Sequence, residues 1–289
     1  MADPIYITTK HVADMLGHPP AAVRAAIADR IPIWAAHGDK AGITQDARAA
    51  VNFIAQCAHE TDRFKTTREY GNAAYLSYLN GRADLGNGPT DGPRYPGTGD
   101  IQTTGRFNFR KAGPRIAKML GQPELAIPDF EMEPKRLAGL PWATLSALAY
   151  WHANEISAIA CGAGDRTEAI TRKINGGVNG LADRRVLFAA LTCQVLGFDS
   201  IKGFQRAAGL DPDGDAGPLT RAAMFAALAG RPAVFSAPTT IAEPALATPS
   251  TPATPAAGRD DRLAALEAKV ETMQQALAEL AAAVIAQRG

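Results

Sequence analysis

Glu60 and Glu69 stand nine residues apart in AHETDRFKTTREYGNAAYLSYLNGRADLGNGPTDGPRYPG, residues 58–97. Two carboxylates can divide acid and base work. Hydrolysis of a glycosidic bond needs one protonated acid at the leaving oxygen and one carboxylate on the far side, which activates water or attacks directly. On one continuous helix, nine steps of about 100° would point the two side chains to opposite faces. Glu69 must therefore return on a loop if the pair is to act together.

Other chemistries are weaker in this chain. His59 precedes Glu60, but Arg63 stands where a zinc-binding HExxH motif needs its second histidine, so His59 reads as a buried or supporting residue. Neither the phosphate-cradling GxxxxGK(S/T) nor the nucleophile elbow GxSxG is present. The Asp211, Asp213 and Asp215 ladder invites a calcium loop, yet Ala216 replaces the required glycine and Ala222 the bidentate glutamate, so Asp213-Gly214 reads as a turn. Three widely spaced cysteines, Cys57, Cys161 and Cys193, read as reduced structural thiols. No metal and no cofactor is implied.

Three ordered motifs sharpen the glutamate reading. AHETDRF resembles the AHE(S/T)xxF signature of glycoside hydrolase family 19, the chitinases and related phage endolysins. GTGDIQTTGRFNF at 97–109 resembles its GRGxIQxTGxxNY, and ITRKINGGVNGLADR at 170–184 its ITRxINGGxNGxxDR, with similarity from about residue 5 to 195. The resemblance implies that Glu60 is the general acid and Glu69 the general base, acting with inversion through a water between them. Glu60, at the end of an apolar helix, suits an acid whose pKa burial raises. Thr104 matches the hydroxyl that would hold the water. Gln102, Asn108 and Asn175 match sugar-contacting amides, which can answer both the carbonyl and the N–H of an N-acetyl group. Asn175 also suits a turn before Gly176 and Gly177. Arg184 and Arg94 match family arginines, and each could orient a carboxylate or make a structural ion pair. Three departures stand out: Thr98 in place of arginine, Asp100 in place of an apolar residue, and Asp62-Arg63 in place of small residues. The first two are expected beside the catalytic water.

The elements that would position these residues are mainly α-helical, and the resemblance implies a lysozyme-like catalytic domain over 1–190. Val51, Phe53, Ile54, Ala55, Cys57 and Ala58 mark the buried face of a helix introduced by Gly42 and Thr44 and ending at His59 and Glu60. Further helices are expected at 20–29, 110–120, 142–153, 166–174 and 181–196. Between 70 and 109, repeated Gly and Pro predict the loops that carry function.

Residues 196–224, LGFDSIKGFQRAAGLDPDGDAGPLTRAAM, resemble the peptidoglycan-binding module of cell-wall hydrolases, here assigned to 191–230, with a first helix that 184–196 could share. Pro, Ala, Thr and Ser then predict a linker over 231–258. In 259–289, Leu263, Leu266, Val270, Met273, Leu277, Leu280 and Val284 form a heptad seam, which predicts a coiled coil and a homo-oligomer through 263–284, with an amphipathic membrane-surface helix or a monomeric helix as the alternatives.

With 289 residues, 46% hydrophobic, the chain can bury a large core, and its net charge of +1 disfavours a nucleic-acid partner. Without a signal peptide or a long apolar span, it is expected in the cytoplasm until released to the cell wall, with no integral membrane segment. The function expected is an endolysin that cuts the β-1,4 glycan strands of peptidoglycan. The alternatives are a chitinase acting on N-acetylglucosamine polymers, or a weakened wall-binding or virion-associated protein, for which Thr98 and Asp100 are the only support.

Overall fold

The structure, a computed structural model, describes residues 2–236. The linker from 237 onward and the whole heptad run, with the oligomer expected of it, lie outside the described residues. Those described are mainly helical. In chain order they form β1 (Ile5–Thr8), α1 (Thr9–Met15), α2 (Ala21–Ala41), α3 (Ala47–Glu60), the short α4 (Ala73–Leu76), α5 (Arg106–Leu120), α6 (Trp142–Ala153), α7 (Ile156–Ala160), α8 (Thr167–Asn175), α9 (Leu181–Val195), α10 (Ile201–Ala207), α11 (Pro218–Leu228) and β2 (Ala233–Ser236). None of these helices is long and apolar enough to cross a membrane.

α3 is the central post. Asp46, rather than Gly42 or Thr44, caps its start by accepting from the Arg48 N–H, which satisfies a donor that the first turn leaves open. From Ala47 to Ala58 every residue except Arg48 is buried. Five alanines among them let neighbouring helices approach closely, and only the last turn, His59 and Glu60, reaches towards the surface. The candidate acid is therefore carried at the end of an almost wholly buried helix.

α2 runs twelve residues past the expected end at 29, through Pro32. Proline removes one backbone donor and usually ends a helix. Here Ile31, Ile33 and Trp34 beside it are buried, and their packing outweighs the local penalty. Trp34 is fully buried, with ring centroids 6.3 Å from Phe53, 6.1 Å from Phe64 and 5.8 Å from Phe235.

Phe235 corrects the expected start of the linker. Residues 233–236 form β2, a parallel partner of β1 with Ile5 opposite Ala233 and Ile7 opposite Phe235. The Ala47 N–H donates to the Arg231 carbonyl at 2.7 Å and the Ala233 N–H to Thr44 at 2.8 Å. Alternating Ala233 and Phe235 face the core, a period too short to stand out in an Ala- and Pro-rich stretch. The boundary near 190 is likewise no break in packing. α9 crosses it, and Phe188 of α9 meets Phe225 of α11 at 4.5 Å. Residues 197–236 and the preceding helices share one core.

The turn expected at Asp213-Gly214 is built on Gln205, which is buried between α10 and α11. Its amide donates to Asp213 Oδ1 at 2.7 Å and to Thr220 Oγ1 at 3.1 Å, and its oxygen accepts from the Gly214 N–H at 2.8 Å.

Candidate active site

Glu60 is held from behind by α9. Arg184 Nη2 donates to Glu60 Oε1 at 2.6 Å, and Arg184 Nη1 donates to Gln56 Oε1, one turn earlier on α3. The arginine side chain has no exposed surface, and that of Glu60 is 13% exposed. A planar guanidinium reaches two acceptors at fixed angles, so it fixes the Glu60 carboxyl group in place. Glu60 Oε2 has no hydrogen-bond partner among the described residues.

The residue beside the acid is tied to the same helix. His59 Nδ1 lies 2.6 Å from Asp183 Oδ2, and Arg63 donates to Asp183 Oδ1 at 2.6 Å. His59 thus takes the supporting place expected of it. Gly180, left-handed at φ +71°, begins α9 against the His59 ring, and a Cβ there would overlap that ring. The NGLADR motif needs its glycine at that point for two reasons, backbone conformation and close approach.

In front of Glu60 lies a cleft of about 360 Å³. Gln102, Thr104, Asn108 and Asn175 line it with Glu60, as do Ile101, Tyr150 and Arg115. The 97–105 loop supplies Gln102 and Thr104. Gln102 is left-handed at φ +52°, and its amide donates to the Gly99 carbonyl at 3.3 Å. The Thr104 hydroxyl donates to the Gln102 carbonyl at 2.8 Å, and Asn108 Nδ2 donates to the Thr104 carbonyl at 2.9 Å. Asn175 ends α8, where Gly176 at φ +77° turns the chain. It is both a turn residue and part of the cleft wall.

Glu69 sits on a loop, as its spacing from Glu60 requires. The Glu69 N–H donates to the Gly97 carbonyl at 2.7 Å, and the Gly97 N–H returns a bond to Glu69 Oε2 at 2.9 Å. The Tyr78 hydroxyl donates to Oε1 at 2.7 Å. Burial, and then the bond to Glu69, push the Tyr78 phenol up to about 12, so it stays a donor near neutral pH. Glu69 does not line the cleft around Glu60; Gly97 is the joint between them. A Cβ at Gly97 would overlap Gln102 Oε1 and stand 3.4 Å from Glu69 Oε2. Gln102 thus has Glu69 as a near neighbour while it lines the cleft with Glu60.

Three residues are not where the motifs suggested. Asp100 is fully buried, taking Arg30 Nε at 2.9 Å, Arg30 Nη2 at 2.7 Å and the Thr144 hydroxyl at 2.7 Å. Thr98 is buried with its hydroxyl on the Pro96 carbonyl at 2.9 Å. Both brace the loop from beneath and neither lines the cleft. Arg94 is exposed and does not line it either; its guanidinium lies over the Tyr95 ring at 5.3 Å and donates to the Glu131 carbonyl at 3.3 Å.

No family model matches the chain. A glycosyl hydrolase family 19 domain-containing protein from Haemophilus influenzae is 30% identical over 186 residues, an alignment that spans 53% of this chain and 82% of that protein. The chain belongs to glycoside hydrolase family 19. Chitinase C from Streptomyces griseus is 21% identical with a TM-score of 0.43, covering 68% of this chain and 95% of that one. A chitinase C mutant gives 20% and 0.41, over 66% and 76%.

As a family 19 glycoside hydrolase, the chain places in its cleft two polar residues that no motif singled out. The Tyr150 hydroxyl donates to the Lys173 carbonyl at 3.0 Å, joining α6 to α8, and burial pushes its phenol up. The Arg115 guanidinium stands 5.5 Å from the Tyr150 ring centroid. Their only sequence trace was membership of helices whose exposed faces could not be told apart.

Proposed function

We propose that this family 19 hydrolase cuts the β-1,4 glycan of bacterial peptidoglycan with inversion. Glu60 is the general acid, its proton carried on Oε2 because Oε1 is taken by Arg184. Glu69, gripped by Tyr78 and the Gly97 N–H, is the general base, and Thr104 steadies the water. Gln102, Asn108 and Asn175 hold the N-acetyl sugars. The observation that carries this reading is the fixed Glu60–Arg184 pair at the wall of a cleft lined by those three amides.

The resemblance of 196–224 to wall-binding modules supports peptidoglycan over chitin, as an enzyme kept in the cytoplasm until released to the wall. The weakened-protein alternative rested on Thr98 and Asp100. Both have buried, satisfied roles outside the cleft, so neither supports it. Mass analysis of fragments from purified peptidoglycan tests the proposal. Reducing-end muramic acid would identify a muramidase and reducing-end glucosamine a glucosaminidase. Cleavage of N-acetylglucosamine oligomers with no fragments from peptidoglycan would sink the reading.

A further inference from the structure

Arg115 faces a second hollow besides the cleft. A second cavity of about 440 Å³ is lined by Gly42, Arg115, Lys118, His152, Glu155 and their neighbours. Arg115 lines both hollows, so the second lies beside the one that Glu60 lines.

The charges along α5 are not equivalent. Arg106 and Arg110, on its first turns, are both bonded to Glu131, at 2.7 and 2.5 Å. Arg115 and Lys118, three residues apart and so on one face, pair with no carboxylate among the described residues, though Glu155 lines the same cavity. Arg115 is half-buried. A cation partly withdrawn from water without an anion is costly, and a bound anion would offset that cost. Its contact with Tyr150 holds it in place for one.

We propose that this cavity is a second binding site, for the carboxylates carried by the glycan, with Arg115 and Lys118 as its cationic wall. It rests on the reading of the substrate as peptidoglycan, whose muramic acid residues bear a lactyl group and a stem peptide, whereas chitin is neutral. The site would discriminate acidic from uncharged strands without touching the scissile bond.

The test uses the full chain and three soluble strand preparations: strands with stem peptides, strands stripped by an amidase so that only the lactyl carboxylate is left, and strands whose carboxylates are all converted to amides. Lys118 is exposed and lines the second cavity but not the cleft, so its substitution spares the cleft. Lys118→Gln should raise KM on peptide-bearing strands about threefold to fivefold and Lys118→Glu about tenfold, with kcat unchanged. Neither should change KM on the amidated strands, and Lys118→Arg should restore the wild-type value. A KM increase retained on stripped strands assigns the site to the lactyl group, and one lost there assigns it to the stem peptide. Equal KM for wild type and Lys118→Glu on peptide-bearing strands would overturn the site, as would the same increase on amidated strands. Failure of the wild type itself to cut any of the three would instead remove the peptidoglycan reading, and this site with it.

Discussion

Arg184 donates to Glu60 Oε1 at 2.6 Å across 124 residues of chain, from complete burial. Its second branch goes to Gln56, so one guanidinium fixes two successive turns of α3. Lysine offers a point charge in place of a fork and cannot hold both acceptors in plane. Arg184→Lys should therefore lower kcat about a hundredfold through a misplaced acid. Arg184→Ala leaves a carboxylate and an amide unpaired at the base of the cleft and should cost about 3–5 kcal/mol of stability as well. Steady-state kinetics with thermal melts separate the two effects. Wild-type kcat in Arg184→Lys would show that the pair is structural only.

Glu60→Gln should keep the fold, since the amide oxygen can still accept from Arg184. Turnover should fall about a thousandfold or more, because an amide cannot deliver the acid's proton. Glu69→Gln should be nearly as damaging. Retention of about a tenth of wild-type turnover in Glu60→Gln would transfer the acid's role to another group.

The site was legible in the sequence wherever a motif places residues close together along the chain. AHETDRF marks the end of α3, and the 97–109 and 170–184 motifs supply the amides that line the cleft. Residues that depend on a distant partner were not legible. Asp100 looked like an intrusion beside the catalytic water because its partner Arg30 lies 70 residues away, on a stretch of α2 that Pro32 hid. Arg94 followed a motif yet stands on Tyr95, clear of the cleft. β2 was hidden because four residues of alternating burial cannot outweigh a surrounding run of Pro and Ala.

Glu131 gives the loop region an acid-sensitive lock. Hydrogen bonds from Arg110 and then Arg106, against the upward pull of burial, hold its carboxyl down to about 2, well below the ordinary 4.5. Its carbonyl also accepts from Tyr95 at 2.9 Å. A folded value below the unfolded one means stability fully present above about pH 4.5 and lost as pH falls towards 2. Glu131→Gln should destabilise the protein at neutral pH and flatten this part of its acid-unfolding profile. Parallel profiles for the two proteins between pH 4.5 and 2 would show that Glu131 carries no acid-linked stability.

The packing of 197–236 determines where the chain can be shortened. A cut at 196, chosen to remove a wall-binding module, would also take Phe225 from Phe188 and Phe235 from Trp34. It would strip β2 from β1, remove the Gly230 N–H from Asp46 Oδ2 at 2.9 Å, and break the ion pair of Arg221 with Asp165 at 2.5 Å. Asp46 caps α3, so the damage reaches the helix that carries Glu60. Losing two buried phenylalanines alone should cost on the order of 3–5 kcal/mol each, comparable with the whole stability of a typical domain. The chain ending at 196 should therefore be unfolded or inactive on small soluble glycans as well as on insoluble wall. The chain ending at 236 keeps every one of these contacts and should melt cooperatively with full turnover on soluble fragments. Circular dichroism melts and soluble-substrate kinetics of the two truncations decide it, and a folded, fully active chain ending at 196 would mean that the segment is a separable module after all.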